Sequence, residues 1–127
     1  MALPQELFYT KSHEWISFEN GIATIGITDF AQHQLSDLTF VELPDSGRTV
    51  SSGDEVAVVE SVKAAADVYA PISGDIVEVN NALEDDPEIV NRDAFGEGWI
   101  FKINVSNESE IDELMDADSY QEICPES

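Results

Sequence analysis

"SGDEVAVVESVKAAADVYAPISGDIVEV" occupies residues 52–79 and contains the pattern SGD-x-V-x-V twice, at residues 52–58 and 73–79. Each copy couples a Ser-Gly-Asp turn to a β-branched strand. Lys63 lies ten residues after Gly53 and eleven before Gly74. The stretch therefore predicts two related half-sheets joined by a hairpin, with Lys63 at its tip. Lys63 is one of three lysines in a chain with 27 acidic residues, and Val62 and Ala64 beside it offer no partner charge.

An ordinary exposed turn lysine is the default reading of such a residue. Three features oppose it: the scarcity of lysine, the strongly β-forming flanks, and the alanines of "KAAAD" (residues 63–67), which leave the amine open to a modifying enzyme. Acylation would remove the charge. A group carried there would swing clear of the body while the sheet fixes its base.

The rest of the composition sets limits. A chain of 127 residues is expected to be one domain with a real core. Its apolar fraction of 43% argues for a globule rather than an acidic disordered tail. The apolar runs are short, so no membrane-spanning helix is expected. The start "MALPQELFYT" has neither a basic n-region nor an Arg-rich amphipathic pattern, so it does not read as a targeting peptide. The net charge of −22 excludes nucleic acid as a partner, because no basic stripe can neutralise phosphates. Solubility through self-repulsion, docking onto basic partners and a saline habitat compete to explain it; a mixture of the first two is favoured. The single Cys124 cannot form an internal disulfide and fits a reducing compartment.

Local signals place further elements. "EWISFENGIATIGI" (residues 14–27) reads as two strands joined by an Asn20-Gly21 turn. Thr28 is a plausible N-cap for a short helix over "FAQHQL", with Phe30, Ala31 and Leu35 near one face. "TFVEL" (residues 39–43) returns to strand, followed by the turn "PDSG". "EDDPEIVNRDAFGEGW" (residues 84–99) reads as an acidic loop with one helical turn after Pro87. "WIFKINV" (residues 99–105) alternates large apolar residues as a buried strand does. Ile111, Leu114 and Met115 form a helical stripe that Tyr120 and Ile123 continue.

Independent catalysis has little support. The two histidines, His13 and His33, make no metal cluster, no Cys-x-x-Cys occurs, and "GEG" (residues 96–98) lacks the strand-to-helix setting of a phosphate loop. With carboxylates everywhere, a solvated acidic face is the default for nearly all of them.

The chain resembles the glycine cleavage system H protein family over almost its full length. "YTKSHEW" (9–15), "GITDFAQ" (26–32), "FVELP" (40–44), "VESVKAAADVYAPISGDIVEVN" (59–80), "NRDAFGEGW" (91–99) and "DELMDADSY" (112–120) match its motifs in order. The resemblance implies a mainly β fold: a lipoyl/biotinyl hammerhead-type β-sandwich (barrel-sandwich hybrid) with a short early helix and a helical C-terminal end, in a single lipoyl-binding domain over residues 1–127 whose hairpin core spans about residues 22–104 between N- and C-terminal elaborations. It implies that Lys63 carries covalent lipoic acid as N6-lipoyllysine. It also implies a carrier and co-substrate rather than an enzyme. Its arm would take the aminomethyl group of glycine from the pyridoxal-phosphate P-protein (glycine decarboxylase) to the T-protein (aminomethyltransferase, using tetrahydrofolate). The L-protein (dihydrolipoyl dehydrogenase) would reoxidise it, and lipoylating enzymes would install it. A monomer is expected, cytoplasmic in a bacterium or archaeon, or in the mitochondrial matrix if the chain is a processed eukaryotic one.

The labile, cationic cargo would need carboxylates and hydroxyls that hold it and exclude water. "KSHEW" (residues 11–15) and "KAAAD" supply Glu14 and Asp67 as docks for the loaded arm's ammonium, with Ser12 as a hydrogen-bond partner. The competing reading makes Glu14 and Asp67 two more surface acids, and His13 a packed residue. Two positions depart from the family's pattern. "LSD" (residues 35–37) has Ser36 where the family usually has glycine, which predicts a less strained turn, and "KAAAD" lacks the serine many relatives have before the aspartate. Alternatives are an H-like lipoyl protein used in lipoate relay or sulfur metabolism, an unmodified acidic interaction module, and a biotin carrier. Val62 and Ala64, in place of a Met-Lys-Met tip, disfavour the last.

Overall fold

The computed structural model describes residues 6–123. Cys124 lies outside them. Nine strands form two antiparallel sheets. In chain order the elements begin with β1 (Phe8–Tyr9), β2 (Glu14–Glu19), β3 (Ile22–Ile27), helix α1 (Asp29–Leu35), β4 (Leu38–Glu42), β5 (Thr49–Val50) and β6 (Glu55–Ser61). They continue with β7 (Ala65–Tyr69), β8 (Gly74–Val79), the short helices α2 (Ala82–Asp85) and α3 (Ile89–Arg92), β9 (Phe101–Val105), a 3-10 segment (Glu108–Glu113) and α4 (Ala117–Ile123). One sheet has the order β1-β2-β3-β9-β8-β5 and the other β4-β6-β7. They form a sandwich, and neither closes into a barrel.

Alternation along the strands builds the layer between the sheets. Ala23, Ile25 and Ile27 of β3 and Phe101 and Ile103 of β9 face Ala57 and Val59 of β6 and Val68 of β7, all buried. Full burial of one such Val, Leu or Ile stabilises the fold by roughly 1.5–3 kcal/mol. A second cluster joins Leu7, Tyr9 and Trp15 to Ala117 and Tyr120. It docks the two ends of the described chain on the outside of the larger sheet, with Tyr9 and Tyr120 stacked at 4.9 Å.

The Asn20-Gly21 turn has φ of 54° and 83°, the left-handed pair that a two-residue hairpin needs. Thr28 caps α1, its Oγ1 accepting from Ala31 N–H at 3.3 Å. The two SGD copies lie in different sheets: the first feeds β6 of the small sheet and the second β8 of the large one. Their turns meet, with Ser52 N–H donating to Ser73 Oγ at 3.0 Å. The predicted half-sheets are thus the two layers of the sandwich.

Three expectations need correction. The C-terminal stripe is not one helix. The 3-10 segment ends at Glu113, Met115 bridges Tyr9 through a reciprocal pair of main-chain bonds (2.8 and 2.9 Å), and α4 starts afresh at Ala117. Pairing with β1 outweighs helix continuation there. The 84–99 loop region gains a helical turn beginning at Ala82, besides the one after Pro87. Ser36 is strained rather than relaxed: it adopts φ 67°, ψ −160°, a region almost reserved for glycine. Main-chain bonds hold it, its N–H donating to Gln32 O (3.0 Å) and its C=O accepting from Asn91 Nδ2 (2.9 Å). Glycine keeps both bonds, so Ser36→Gly is expected to stabilise the fold by about 1–2 kcal/mol. Thermal and urea melts of the two chains measure it, and an unchanged midpoint contradicts the strain argument.

Candidate functional site

Lys63 sits where β6 turns into β7. Ser61, the last residue of β6, organises the tip. Its N–H donates to Ala64 O (2.8 Å), and its Oγ accepts from Lys63 N–H (3.2 Å) and Ala64 N–H (3.1 Å). A hydroxyl that replaces turn hydrogen bonds is ordinary Ser chemistry. It fixes the backbone beneath Lys63 while leaving the side chain exposed. Val62 beside it is 93% exposed. Among the described residues the ion pairs are Arg92–Asp86 (2.6 Å) and Lys102–Glu78 (3.7 Å), and neither involves Lys63. The sequence reading did not single out Ser61, although a serine two residues before a predicted tip was a usable signal.

The hairpin below the tip is two-faced. Register pairs Ala65 with Glu60 and Asp67 with Val58, and these side chains share the outer face. Ala66, Val68 and Val59 turn inward. Asp67 is exposed on β7, two residues before Tyr69.

Tyr69 leads to a cleft of about 440 Å3 at the other end of β7, lined by Thr10, Ser12, Glu14, Tyr69, Glu110 and Met115 among others. Glu14 dominates it. This carboxylate is 1% exposed, which overturns the surface-acid reading. Its Oε1 accepts from Thr10 Oγ1 (2.5 Å) and Ser12 Oγ (2.8 Å), and its Oε2 accepts from the Tyr69 N–H (3.2 Å). The position follows from β2. Glu14 opens the strand, and Trp15 next to it is locked by Nε1–H donating to Ala94 O (2.8 Å). Trp15 lies flat on Gly26, where a Cβ would stand 2.7 Å from the indole. His13, at φ 70°, turns the chain so that Ser12 and Glu14 converge.

The structure thus joins Ser12 and Glu14 directly, adds Thr10 and the Tyr69 amide, and leaves Lys63 and Asp67 outside the cleft lining. Glu110 forms the far wall. Its two oxygens accept from Ser73 N–H (2.6 Å) and Ser73 Oγ (3.0 Å), tying the 3-10 segment to the second SGD turn. Nothing in the local sequence marked Glu110 among so many acids. His13 is a packed residue, as one reading had it: Nδ1 lies 2.7 Å from Tyr120 Oη, and its ring is 4.9 Å from Phe30.

Burial raises the Glu14 carboxyl above its ordinary value, while hydrogen bonds from Thr10, Ser12 and Tyr69 pull it back. Burial lowers His13. The two have opposite consequences for stability. A carboxyl with a raised folded pKa binds its proton more readily in the folded chain, so its ionisation costs stability as pH climbs above 4.5. A lowered histidine favours the folded chain above 6.5 and costs stability as pH falls below that value. Glu14→Gln is therefore expected to make the change in melting temperature from pH 4.5 to pH 7 more favourable to the folded chain than it is in the wild type. An equal difference in both chains contradicts it.

The sequence profile described as Glycine cleavage H-protein matches residues 7–127. The chain is 58% identical over 125 residues to the Glycine cleavage system H protein of Shewanella sp. (strain ANA-3), covering 98% of this chain and 97% of that one. It is 57% identical over 116 residues to the protein of that name from Thermotoga maritima, covering 91% and 94%. The crystal structure of a glycine cleavage system H protein from Mycobacterium marinum superposes with a TM-score of 0.90 at 38% identity, covering 98% of this chain and all of that one.

Proposed function

The chain belongs to the glycine cleavage H-protein family, and from that premise we propose that it is the lipoyl carrier of a glycine cleavage system, modified on Lys63. The observation that supports the reading most is the presentation of Lys63: an exposed, unpaired amine on a tip whose backbone Ser61 has already ordered. These residues fit a covalent acyl group. Amide formation costs no salt bridge, and the exposed Val62 and small Ala64 leave a modifying enzyme room. Bound there, lipoic acid would supply a dithiolane able to take up and release the aminomethyl group of glycine and to be reoxidised.

The protein's own part is mechanical and electrostatic. The β6–β7 hairpin extends Lys63 toward the active sites of the P-, T- and L-proteins and of the lipoylating enzymes. Between encounters, Glu14, backed by Ser12 and Thr10, offers the cationic cargo a buried carboxylate, where low dielectric strengthens the attraction. Asp67 stands on the route from tip to cleft and meets the cation before Glu14 does. Trp15 and Tyr120 hold the floor of this site in place through the second apolar cluster. The hard chemistry belongs to the partners' cofactors, so the chain acts as a carrier and co-substrate. The bacterial relatives favour a cytoplasmic location.

Intact mass of the chain purified from lipoylating cells is expected to show one lipoyl increment that vanishes in Lys63→Arg. A chain that stays unmodified under those conditions overturns the reading. Ser61→Ala is expected to slow lipoylation several-fold without unfolding the protein, read as the initial rate with a lipoate ligase. In the loaded chain, Glu14→Gln and Asp67→Asn are each expected to speed hydrolysis of the cargo several-fold. Equal rates in wild type and both variants would sink the docking role.

A further inference from the structure

Lys11, Ser12 and His13 turn the chain between β1 and β2, inside the pair that Thr10 makes with Glu14. Thr10 N–H donates to Glu14 O (3.0 Å), and His13 N–H donates to Thr10 O (3.1 Å). This is the pattern of a three-residue hairpin loop whose last residue is left-handed, a place usually filled by glycine. Here it is filled by His13, at φ 70°. A side chain in such a place is strained, and the surrounding structure must hold it there. The His13 ring is what is held. It lies 4.9 Å from the ring of Phe30 on α1 and 5.6 Å, edge-on, from that of Tyr120 on α4. Its Nδ1 is 2.7 Å from Tyr120 Oη, which is 2.8 Å from Thr28 Oγ1. Thr28 N–H in turn donates to His13 O (2.9 Å). A helix 107 residues away thus grips the residue between Ser12 and Glu14.

The contacts allow a directed relay. Thr28 Oγ1 accepts from Ala31 N–H as the cap of α1, which leaves its own hydrogen to donate to Tyr120 Oη. Tyr120 Oη then donates to His13 Nδ1, which accepts when the neutral ring carries its hydrogen on Nε2. We propose that this phenol–imidazole bond is a proton-operated latch on the cleft, with His13 and Tyr120 as positioning residues for Glu14. While Nδ1 is bare the bond holds the loop, and Thr10 and Ser12 stay on Glu14 Oε1. A proton on Nδ1 reverses the relay. Nδ1–H donates to Tyr120 Oη, Tyr120 donates to Thr28 Oγ1, and the fully buried Thr28 hydroxyl loses its acceptor. No neighbouring charge offsets this. From α4 the titratable group facing the ring is Tyr120, while Asp116 before that helix accepts from Ser119 N–H (2.8 Å) and Asp118 and Glu122 are exposed. From α1 the ring meets Phe30, and Asp29 there accepts from Gln32 (2.9 Å). Its own loop carries the exposed Lys11, and Glu14 is turned to Thr10, Ser12 and Tyr69. Among the described residues no carboxylate forms an ion pair with the ring. Burial acts in the same sense and lowers the His13 pKa from its ordinary 6.5. The latch is shut above the His13 midpoint and loosens below it. The proposal rests on the carrier reading for what the cleft holds, and adds to it the group that decides when the cleft is firm.

Magnetic resonance of the unmodified, 15N-labelled full chain reads the latch with no carried group present. At pH 7 the His13 ring is expected to be the Nε2–H tautomer. The Tyr69 amide, which reports on Glu14, is expected to shift as pH falls through the His13 midpoint. Tyr120→Phe keeps the ring that stacks on Tyr9 and removes only the donor. It is expected to raise the His13 midpoint toward the ordinary value, because the neutral ring loses the bond that favoured it, and to abolish the Tyr69 step. His13→Asn, whose new side chain suits a left-handed position, is expected to abolish that step as well. In chain lipoylated in vitro and loaded with aminomethyl cargo, hydrolysis is expected to speed several-fold as pH falls through the same midpoint, a step that Tyr120→Phe lacks. An Nδ1–H tautomer overturns the proposal. So does a His13 midpoint that stays or falls in Tyr120→Phe, or a Tyr69 step that persists in His13→Asn. A hydrolysis profile with no step, in a chain whose Tyr69 amide does shift, overturns the latch as a device acting on cargo. Failure of the carrier reading shows separately, as a missing lipoyl increment in the chain from cells.

Discussion

The Glu14 carboxylate is the contact on which the site depends. It is withdrawn from water and bonded through both oxygens, on one side to Thr10 and Ser12 and on the other to the Tyr69 amide of β7. A buried acid without such partners would cost several kcal/mol. With them it joins the N-terminal loop to β7, one of the two strands that lead to Lys63. The three donors also hold the carboxylate in a fixed orientation at the cleft, so its charge is available to a cation without further rearrangement. The same burial raises its pKa, which is the physical signature of a charge kept where it is expensive to keep.

Around that contact the two apolar clusters divide the work. The larger fills the layer between the sheets and makes the β6–β7 hairpin a rigid extension of the body. The smaller packs Tyr9, Trp15 and Tyr120 outside the sandwich and sets the loop that carries Ser12 and Glu14. Rigidity ends at Ser61 and Ala64. Beyond them the Val62 and Lys63 side chains are exposed, which suits the proposed attachment of a carried group. The unpaired outer acids of the hairpin, Glu60 and Asp67, lie below Lys63 on its outer face. Their charge is part of a net −22 that leaves the surface strongly attractive to basic partners and open to screening by salt.

The chain's own sequence determined the features whose causes are local. Asn20-Gly21 specifies its turn because both residues tolerate positive φ, and Thr28 specifies a helix start because its hydroxyl reaches a free N–H. The doubled SGD motif and the alternation around it specify a hairpin with Lys63 at the tip, where the structure has it. Each needs only neighbours a few residues away. The family's motifs were legible in the same way, as ordered strings.

Only the tertiary structure decided what those pieces mean to one another. Glu14 and Asp67 look alike in sequence, yet Glu14 is buried beside an amide 55 residues away and Asp67 is exposed. Glu110 is one acid among 27 until it meets Ser73. The serine at residue 36 is strained because Gln32 and Asn91 hold its backbone, and the C-terminal stripe breaks because Met115 pairs with Tyr9. Burial and strain depend on which distant segments come to lie alongside. Local pattern cannot encode them, because a carboxylate or an amide costs or contributes energy only according to what replaces its water.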